Sequence, residues 1–138
     1  MFFFGKKKSG PSHPHPDWPW ALTVGPAAPR STLSWPDIQR ALEELIPDTD
    51  SFVILEQKDP GDPKKYWYIQ SAIATAGPDR GKYTVGCGWL GEKRAELWER
   101  MVPSVSEVLP YFQTAWQCGP TDLSGFEDHS DWLPVNNK

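Results

Sequence analysis

The run Phe52-Val53-Ile54-Leu55 is the most hydrophobic stretch of this 138-residue chain. It is short, rich in β-branched and aromatic residues and bounded by turn-forming residues, which is typical of a buried strand. A Pro- and Gly-rich turn at residues 59–63 follows it, and then a second β-rich run at residues 66–74. These two runs are therefore predicted to pair as antiparallel neighbours in one sheet.

Two further segments are predicted to extend this sheet, and a third fits a short edge strand. Residues 82–90 follow a Gly-Pro turn, and Gly86 and Gly88 within them indicate a bulge or a close backbone approach. Residues 95–102 fit either a strand or a short helix, and we favour the strand because tight turns join the three strands before it. Residues 18–24 begin with a Trp-Pro pair, and the proline restricts them to an edge strand.

Two segments carry the signals of amphipathic helices. One begins after Ser34, has an acidic residue at its third helical position, and presents an apolar stripe as far as Leu45. The other begins after Ser104, which has Glu three positions later, and its apolar stripe reaches Trp116. Pro110 lies within this second helix and should bend it. The predicted fold is therefore α+β: an antiparallel meander of about four strands packed against two helices.

The length of the chain fits a single domain. A chain of this size buries roughly two thirds of the surface that its unfolded form exposes. Its eight Trp, four Tyr and six Phe are expected to supply much of the core. Residues 1–17 mix Pro with polar residues and are predicted to be a disordered tail, whereas residues 18–138 form the domain. No window approaches the ~18 uninterrupted apolar residues of a transmembrane helix, so no membrane span is expected.

Charge and cysteine content restrict the class of partner and the compartment. The formal net charge is −4, and because the first 16 residues hold three Lys and no acid, the rest of the chain carries −7. An acidic body repels phosphate backbones, which argues against nucleic acid and is compatible with a basic protein partner, although solubility alone also favours mild acidity. Cys87 and Cys118 form no CxxC pair and no secretory signal is recognised, which favours the reducing cytoplasm.

No catalytic or metal-binding motif is recognised. The glycines at residues 86–91 lack the spacing of phosphate-binding loops. An enzyme would need a pocket that joins Cys87, His129 and an acid, and no motif supports such a pocket. Asp128, His129 and Asp131 could be ligands of a metal, but a solvated acidic loop is the favoured interpretation. We therefore expect neither an enzyme nor a bound cofactor.

The acidic and aromatic segment near the C-terminus is the best candidate for a partner-binding surface. Residues 122–132 hold four acids and no Lys or Arg, and Trp is enriched at protein interfaces because it brings a large contact area at low entropic cost. The alternative is that Phe126 and Trp132 pack the C-terminus onto the body. The predicted partner-binding residues are Asp122, Glu127, Asp128, Asp131 and Trp132, with Glu92 and Glu96 beyond the third strand as a second choice.

The order of these segments resembles that of a known family. The segments that carry the likeness are Ser34-Trp35-Pro36-Asp37-Ile38, Asp50-Ser51-Phe52-Val53-Ile54-Leu55-Glu56, Tyr68-Ile69-Gln70, Tyr83-Thr84-Val85, and the helix from Ser104 to Phe112 and Trp116. Over residues 34–117, about 60% of the chain, the sequence resembles bacterial immunity proteins encoded beside polymorphic or contact-dependent toxins. It departs from that pattern at Gly86, where relatives often have an acidic residue, so a strand-borne acidic contact is in doubt at this position.

The resemblance implies that the protein binds one cognate toxin and occludes its active site sterically and electrostatically. An acidic surface suits a basic nuclease toxin, because complementary charge raises the association rate. The residues themselves leave a second hypothesis open, a small-ligand-binding or sensor domain whose aromatic-lined pocket would consist of Trp67, Trp89 and Trp98. The oligomeric state is left open.

Overall fold

The computed structural model describes residues 18–31, 33–117 and 123–137. The predicted tail at residues 1–17 and the predicted site residue Asp122 lie outside the described residues. The elements are β1 (Trp20–Val24), α1 (Trp35–Glu43), β2 (Phe52–Asp59), β3 (Asp62–Ala72), β4 (Tyr83–Leu90), β5 (Ala95–Val102), α2 (Val105–Gln117) and β6 (Glu127–Asp128), followed by two short 3₁₀ helices, Ser130–Trp132 and Pro134–Asn137.

Within the described ranges, six strands form one antiparallel sheet in which each strand pairs with the next along the chain. This confirms the predicted α+β class, with an antiparallel meander and two helices. The sheet has six strands because the predicted edge strand, β1, pairs with β2 at one side of the four-stranded meander, and an unpredicted short strand, β6, pairs with β5 at the other. β6 has only two residues, which pair with Trp98 and Glu99 of β5, and so short a strand leaves no alternating pattern in the sequence.

The strand register separates the side chains of the sheet into two faces. Leu55 of β2 lies between Leu22 of β1 and Ile69 of β3, and Ile69 in turn opposes Cys87 of β4. These side chains are buried in one hydrophobic core with residues of both helices. The helices contribute Ile38, Ala41 and Leu42 from α1, and Val108, Phe112 and Ala115 from α2. Both helices therefore cover the same face of the sheet.

Several boundaries differ from the predicted ones for local reasons. The turn between β2 and β3 contains only Pro60 and Gly61, and the carboxylate of Asp59 accepts a hydrogen bond of 2.8 Å from the Gly61 N–H. The two strands therefore continue beyond their hydrophobic runs, almost to this turn. α1 ends at Glu43, two residues before Leu45, the end of its predicted apolar stripe. Residues 95–102 pair with β4 over their whole length, which confirms the strand interpretation over the helix.

Within the described residues, no helix is long and apolar enough to cross a membrane. The longer of the two, α2, has 13 residues, whereas a membrane-spanning helix needs about 20.

Hydrogen bonds attach other parts of the chain to the strands at both sides of the sheet. The backbone of Leu22 in β1 exchanges two hydrogen bonds of 2.8 Å with the backbone of Arg30. At the other edge, residues 123–137, here called the C-terminal segment, follow β5. The His129 N–H donates to the Leu97 carbonyl at 2.8 Å, and the side-chain amide of Asn136 bonds both backbone groups of Ala95. These bonds fix the C-terminal segment beside β5.

Candidate functional site

The face of the sheet opposite the helices, here called the open face, carries a row of polar groups. The register aligns Gln70 of β3, Gly86 of β4, Glu99 of β5 and Glu127 of β6 across four neighbouring strands. Gly86 has no side chain, so the side chain of Gln70 lies over it, with its nearest atoms 3.3 Å from the place where a Cβ would be. The two carboxylates lie side by side at the β5–β6 end of this row.

A depression of about 520 Å³, here called the acidic depression, opens beside the C-terminal segment. The residues that line it are Asp79, Glu99, Arg100, Met101, Gly125, Glu127, His129 and Trp132. Three come from β5, four from the C-terminal segment and one from the loop between β3 and β4. Three of these eight residues carry carboxylates and one carries a guanidinium, so the charged groups of the lining are mainly acidic.

Trp132 is the most exposed aromatic side chain of this site. Its indole is stacked on the imidazole of His129, with the ring centroids 3.8 Å apart and an angle of 10° between the planes. The same imidazole lies 3.2 Å from the carboxylate of Glu127. The Trp132 side chain nevertheless remains 61% exposed. The stack therefore holds a large apolar surface at a defined place without burying it.

Glu99 is a functional candidate that the sequence interpretation missed. Desolvation by burial raises the pKa of its carboxyl above the ordinary value, the nearby Glu127 raises it further, and His129 opposes the rise. The signal that could have located it is the period of two in β5, which places Glu99 on the same face as Leu97 and Met101. That face was not assigned a function because nothing in the sequence shows that the C-terminal segment lies against it.

Arg100 anchors the C-terminal segment to α2. Its guanidinium donates a hydrogen bond of 2.9 Å to the Tyr111 hydroxyl and lies about 6 Å from the ring centroids of Tyr111 and Phe126. The two rings meet edge-on at 5.4 Å, and Phe126 is buried. Phe126 thus packs the C-terminus onto the body, as the alternative prediction had it, whereas Trp132 stays exposed.

The predicted partner-binding residues fall into two groups. Glu127, Asp128, Asp131 and Trp132 are all exposed on the C-terminal segment. The carboxylate of Asp128 also accepts the Ser130 N–H at 2.9 Å and so helps to begin the first 3₁₀ helix.

The second-choice residues are not brought together with this group. Glu92 is exposed in the turn between β4 and β5, at the end of the sheet where β5 begins. Glu96 lies opposite Trp89 in the register, on the helix-bearing face, and its carboxylate accepts a hydrogen bond of 3.2 Å from the Trp98 indole. In β5, Glu96 and Glu99 are separated by an odd number of positions, so their side chains leave opposite faces of the sheet.

The residues proposed for an enzyme do not converge. Cys87 is a free, buried thiol in the core, and burial raises its pKa to about 12. His129 lines the acidic depression on the other face of the sheet. Among the residues that the structure describes, no three or more His, Cys, Asp or Glu side chains are arranged to hold a metal ion.

The indoles proposed to line an aromatic pocket are part of the core. Trp67 is 1% exposed, meets Trp20 edge-on at 5.3 Å, and donates a hydrogen bond of 2.8 Å to the buried Gln57. Trp89 and Trp98 are partly buried against the same core. The small-ligand or sensor hypothesis stays a prediction, without support from these three residues.

The fold and the site together define a small α+β domain that presents carboxylates of β5 and the C-terminal segment beside one ordered, exposed indole. Comparison of the chain with models of known protein families, with curated proteins and with solved structures found no match. Its function is therefore inferred from its own surface.

Proposed function

We propose that this protein is a non-enzymatic protein-binding domain, an immunity protein that binds and blocks a cognate bacterial toxin. The observation that carries the proposal is the exposed indole of Trp132 beside the acidic depression. Trp side chains that become buried on binding are among the few residues that dominate the binding energy of many protein interfaces. An indole that is already ordered by its stack on His129 loses little further entropy on binding.

The charge of the surface supports a basic partner. Glu127, Asp128 and Asp131 are exposed, and residues 123–137 contain no Lys or Arg. Opposite charges on two surfaces steer the encounter and raise the association rate, most strongly at low salt. A basic nuclease toxin would present the complementary surface.

Inhibition in this proposal requires no chemistry from the immunity protein. A partner whose catalytic cleft is covered by this surface cannot admit its substrate. For a nuclease, the carboxylates would also occupy the cationic groups that otherwise contact the phosphate backbone. We place the protein in the cytoplasm, where a toxin of this kind would act and where a free thiol such as Cys87 is kept reduced.

The test is coexpression with the toxin encoded beside this gene, with growth protection and calorimetric titration as the readouts. Reversing Asp128 and Asp131 to Lys should weaken the complex by about 100-fold or more, because like charges across an interface cost several kcal/mol. Reversal of Glu43 and Glu44, which are exposed at the end of α1, makes the same change of charge and is the control. Full protection by the Asp128 and Asp131 variant would exclude this surface as the contact, and a neighbouring toxin that the wild-type protein does not bind would overturn the proposed function.

A further inference from the structure

We infer that the basic partner inserts an arginine side chain into the acidic depression, where its guanidinium stacks on Trp132 and pairs with Glu99 and Glu127. This inference rests on the proposed function and specifies the chemistry of the partner's contact residue. It also places the centre of the interface on the open face of the sheet rather than at the tip of the C-terminal segment.

The shape of the site suits a long side chain with a flat end. The depression of about 520 Å³ lies within the range of small-molecule sites. Gly125 contributes no side chain to its wall and has φ of +83°, a conformation that other residues rarely adopt. A Cβ there would lie 3.1 Å from the Arg100 guanidinium, so this wall is kept open by glycine.

The aromatic surface of the site is only half used within the chain. One face of the Trp132 indole lies against His129, and the side chain is still 61% exposed. The opposite face is therefore open to a guanidinium, which would extend the stack to three planar groups. Guanidinium groups stack on indoles more favourably than on other rings, through both cation–π attraction and dispersion.

The carboxylates of the site are not neutralised by its own arginine. The Arg100 guanidinium donates a hydrogen bond to the Tyr111 hydroxyl and lies about 6 Å from the ring centroids of Tyr111 and Phe126. Within the described residues, no carboxylate forms an ion pair with it. Glu99 is partly buried, and no hydrogen bond to its carboxylate is found among those residues. Its pKa is raised because burial imposes a desolvation cost on the charged form. A cation bound beside Glu99 and Glu127 would offset that cost.

Arginine rather than lysine fits these groups because of its geometry. The planar guanidinium presents paired N–H donors that match a carboxylate, and it can stack on the indole at the same time. An ammonium is a compact, strongly hydrated charge that cannot do both. The site should therefore discriminate between two ligands of equal charge.

The experiment uses the full chain labelled with ¹⁵N and two synthetic peptides, acetyl-Gly-Arg-Gly-Arg-Gly-amide and its Lys counterpart. NMR titration should place the largest shifts at residues 99–101 and 125–132, with the Trp132 indole N–H among them. The Arg peptide should bind about threefold more tightly than the Lys peptide, the order of one exposed cation–π contact. Equal affinities, or shifts spread evenly over the acidic surface, would overturn the inference.

Variants separate the arginine site from net charge. Glu99→Gln with Glu127→Gln should weaken binding of the Arg peptide about fivefold, as expected when two partly exposed ion pairs are lost. Trp132→Ala should remove the preference for Arg over Lys. Glu43→Gln with Glu44→Gln changes the net charge equally and should leave binding unchanged. An equal loss in this control would show that only net charge matters and would overturn the inference.

The two proposals fail separately. A cognate toxin that binds the Glu99→Gln and Glu127→Gln variant as well as the wild type, but binds Trp132→Ala weakly, would support the proposed function and overturn the arginine contact. Localised, arginine-selective binding of the peptide, together with no binding of the cognate toxin, would support the arginine site and overturn the immunity function.

Discussion

The indole of Trp132 and the imidazole of His129 are parallel to within 10°, with 3.8 Å between their ring centroids. This contact fixes an exposed aromatic ring at the surface. Six positions earlier in the same segment, Phe126 is buried edge-on against Tyr111. One aromatic residue of the segment therefore contributes to folding, and the other is free to contribute to binding.

The first prediction concerns these two aromatic residues. Trp132→Ala should change the free energy of unfolding by less than about 0.5 kcal/mol, because the side chain is mostly exposed. Phe126→Ala should lower it by about 3 kcal/mol, because it leaves a cavity against Tyr111 and the core. Urea denaturation followed by far-UV circular dichroism measures both. Similar losses in the two variants would contradict the division of roles.

The second prediction concerns a buried amide in the core. Gln57 is 1% exposed, accepts a hydrogen bond of 2.8 Å from the Trp67 indole, and donates one of 2.8 Å to the Trp18 carbonyl. Gln57→Leu keeps the volume but removes both bonds, and it should cost about 2 kcal/mol of unfolding free energy. Gln113→Leu, at an exposed position of α2, is the matched control. An equal effect of the two substitutions would show that the buried amide does not stabilise the core.

The third prediction compares two glycines of β4. A Cβ on Gly88 would overlap the backbone carbonyl of Glu96, whereas a Cβ on Gly86 would meet only the side chains of Gln70 and Leu97, at 3.3 and 3.4 Å. Gly88→Ala should therefore lower the unfolding free energy by about 2 kcal/mol or more, since backbone must move. Gly86→Ala should cost less, because side chains can adjust. Thermal denaturation of the two variants side by side decides the comparison.

The fourth prediction concerns pH. Burial raises the pKa of Glu56 and of Glu99 above the ordinary value of 4.5. The folded state then binds more protons than the unfolded state, so these groups lower stability progressively as the pH rises above 4.5 through their folded pKa values. Glu56→Gln and Glu99→Gln should consequently unfold at higher urea concentration than the wild type at pH 7.

The extra stability of Glu56→Gln and Glu99→Gln over the wild type should decrease as the pH falls towards 4. Glu43→Gln, at an exposed position of α1, controls for the change in net charge. An advantage of the same size at pH 4 and pH 7 would contradict the assigned cause, because it would not depend on ionisation of the buried carboxyls.

The interior of the sheet was predictable because its signals are local. The hydrophobic run of β2 specifies a strand without reference to distant residues, whereas residues 95–102 were ambiguous and were assigned as a strand from the tight turns that join the strands before them. The start of α1 is equally local: the Asp37 carboxylate accepts hydrogen bonds of 2.9 Å from both the N–H and the hydroxyl of Ser34. The glycine signal in β4 was also meaningful, since the Glu96 carbonyl closely approaches Gly88.

The candidate site was only partly predictable because it joins two distant parts of the chain. The acidic and aromatic composition of residues 122–132 indicated the C-terminal segment. It could not indicate Glu99, which contacts that segment only because β6 pairs with β5. Nor could composition separate Glu96 from Glu99, since which face each occupies relative to the helices depends on the register of the whole sheet.

The sequence by itself determined the α+β class, the inner strands and the two helices, because hydrophobic period, capping residues and turns act over a few neighbouring positions. Only the tertiary structure decided that Phe126 is buried while Trp132 is exposed, and that Glu99 and Glu127 share one depression. Which of these side chains are buried, and which carboxylates lie close together, depends on how the C-terminal segment packs on β5 and α2. These contacts join residues that are far apart in the chain, so no short stretch of sequence carries a signal for them.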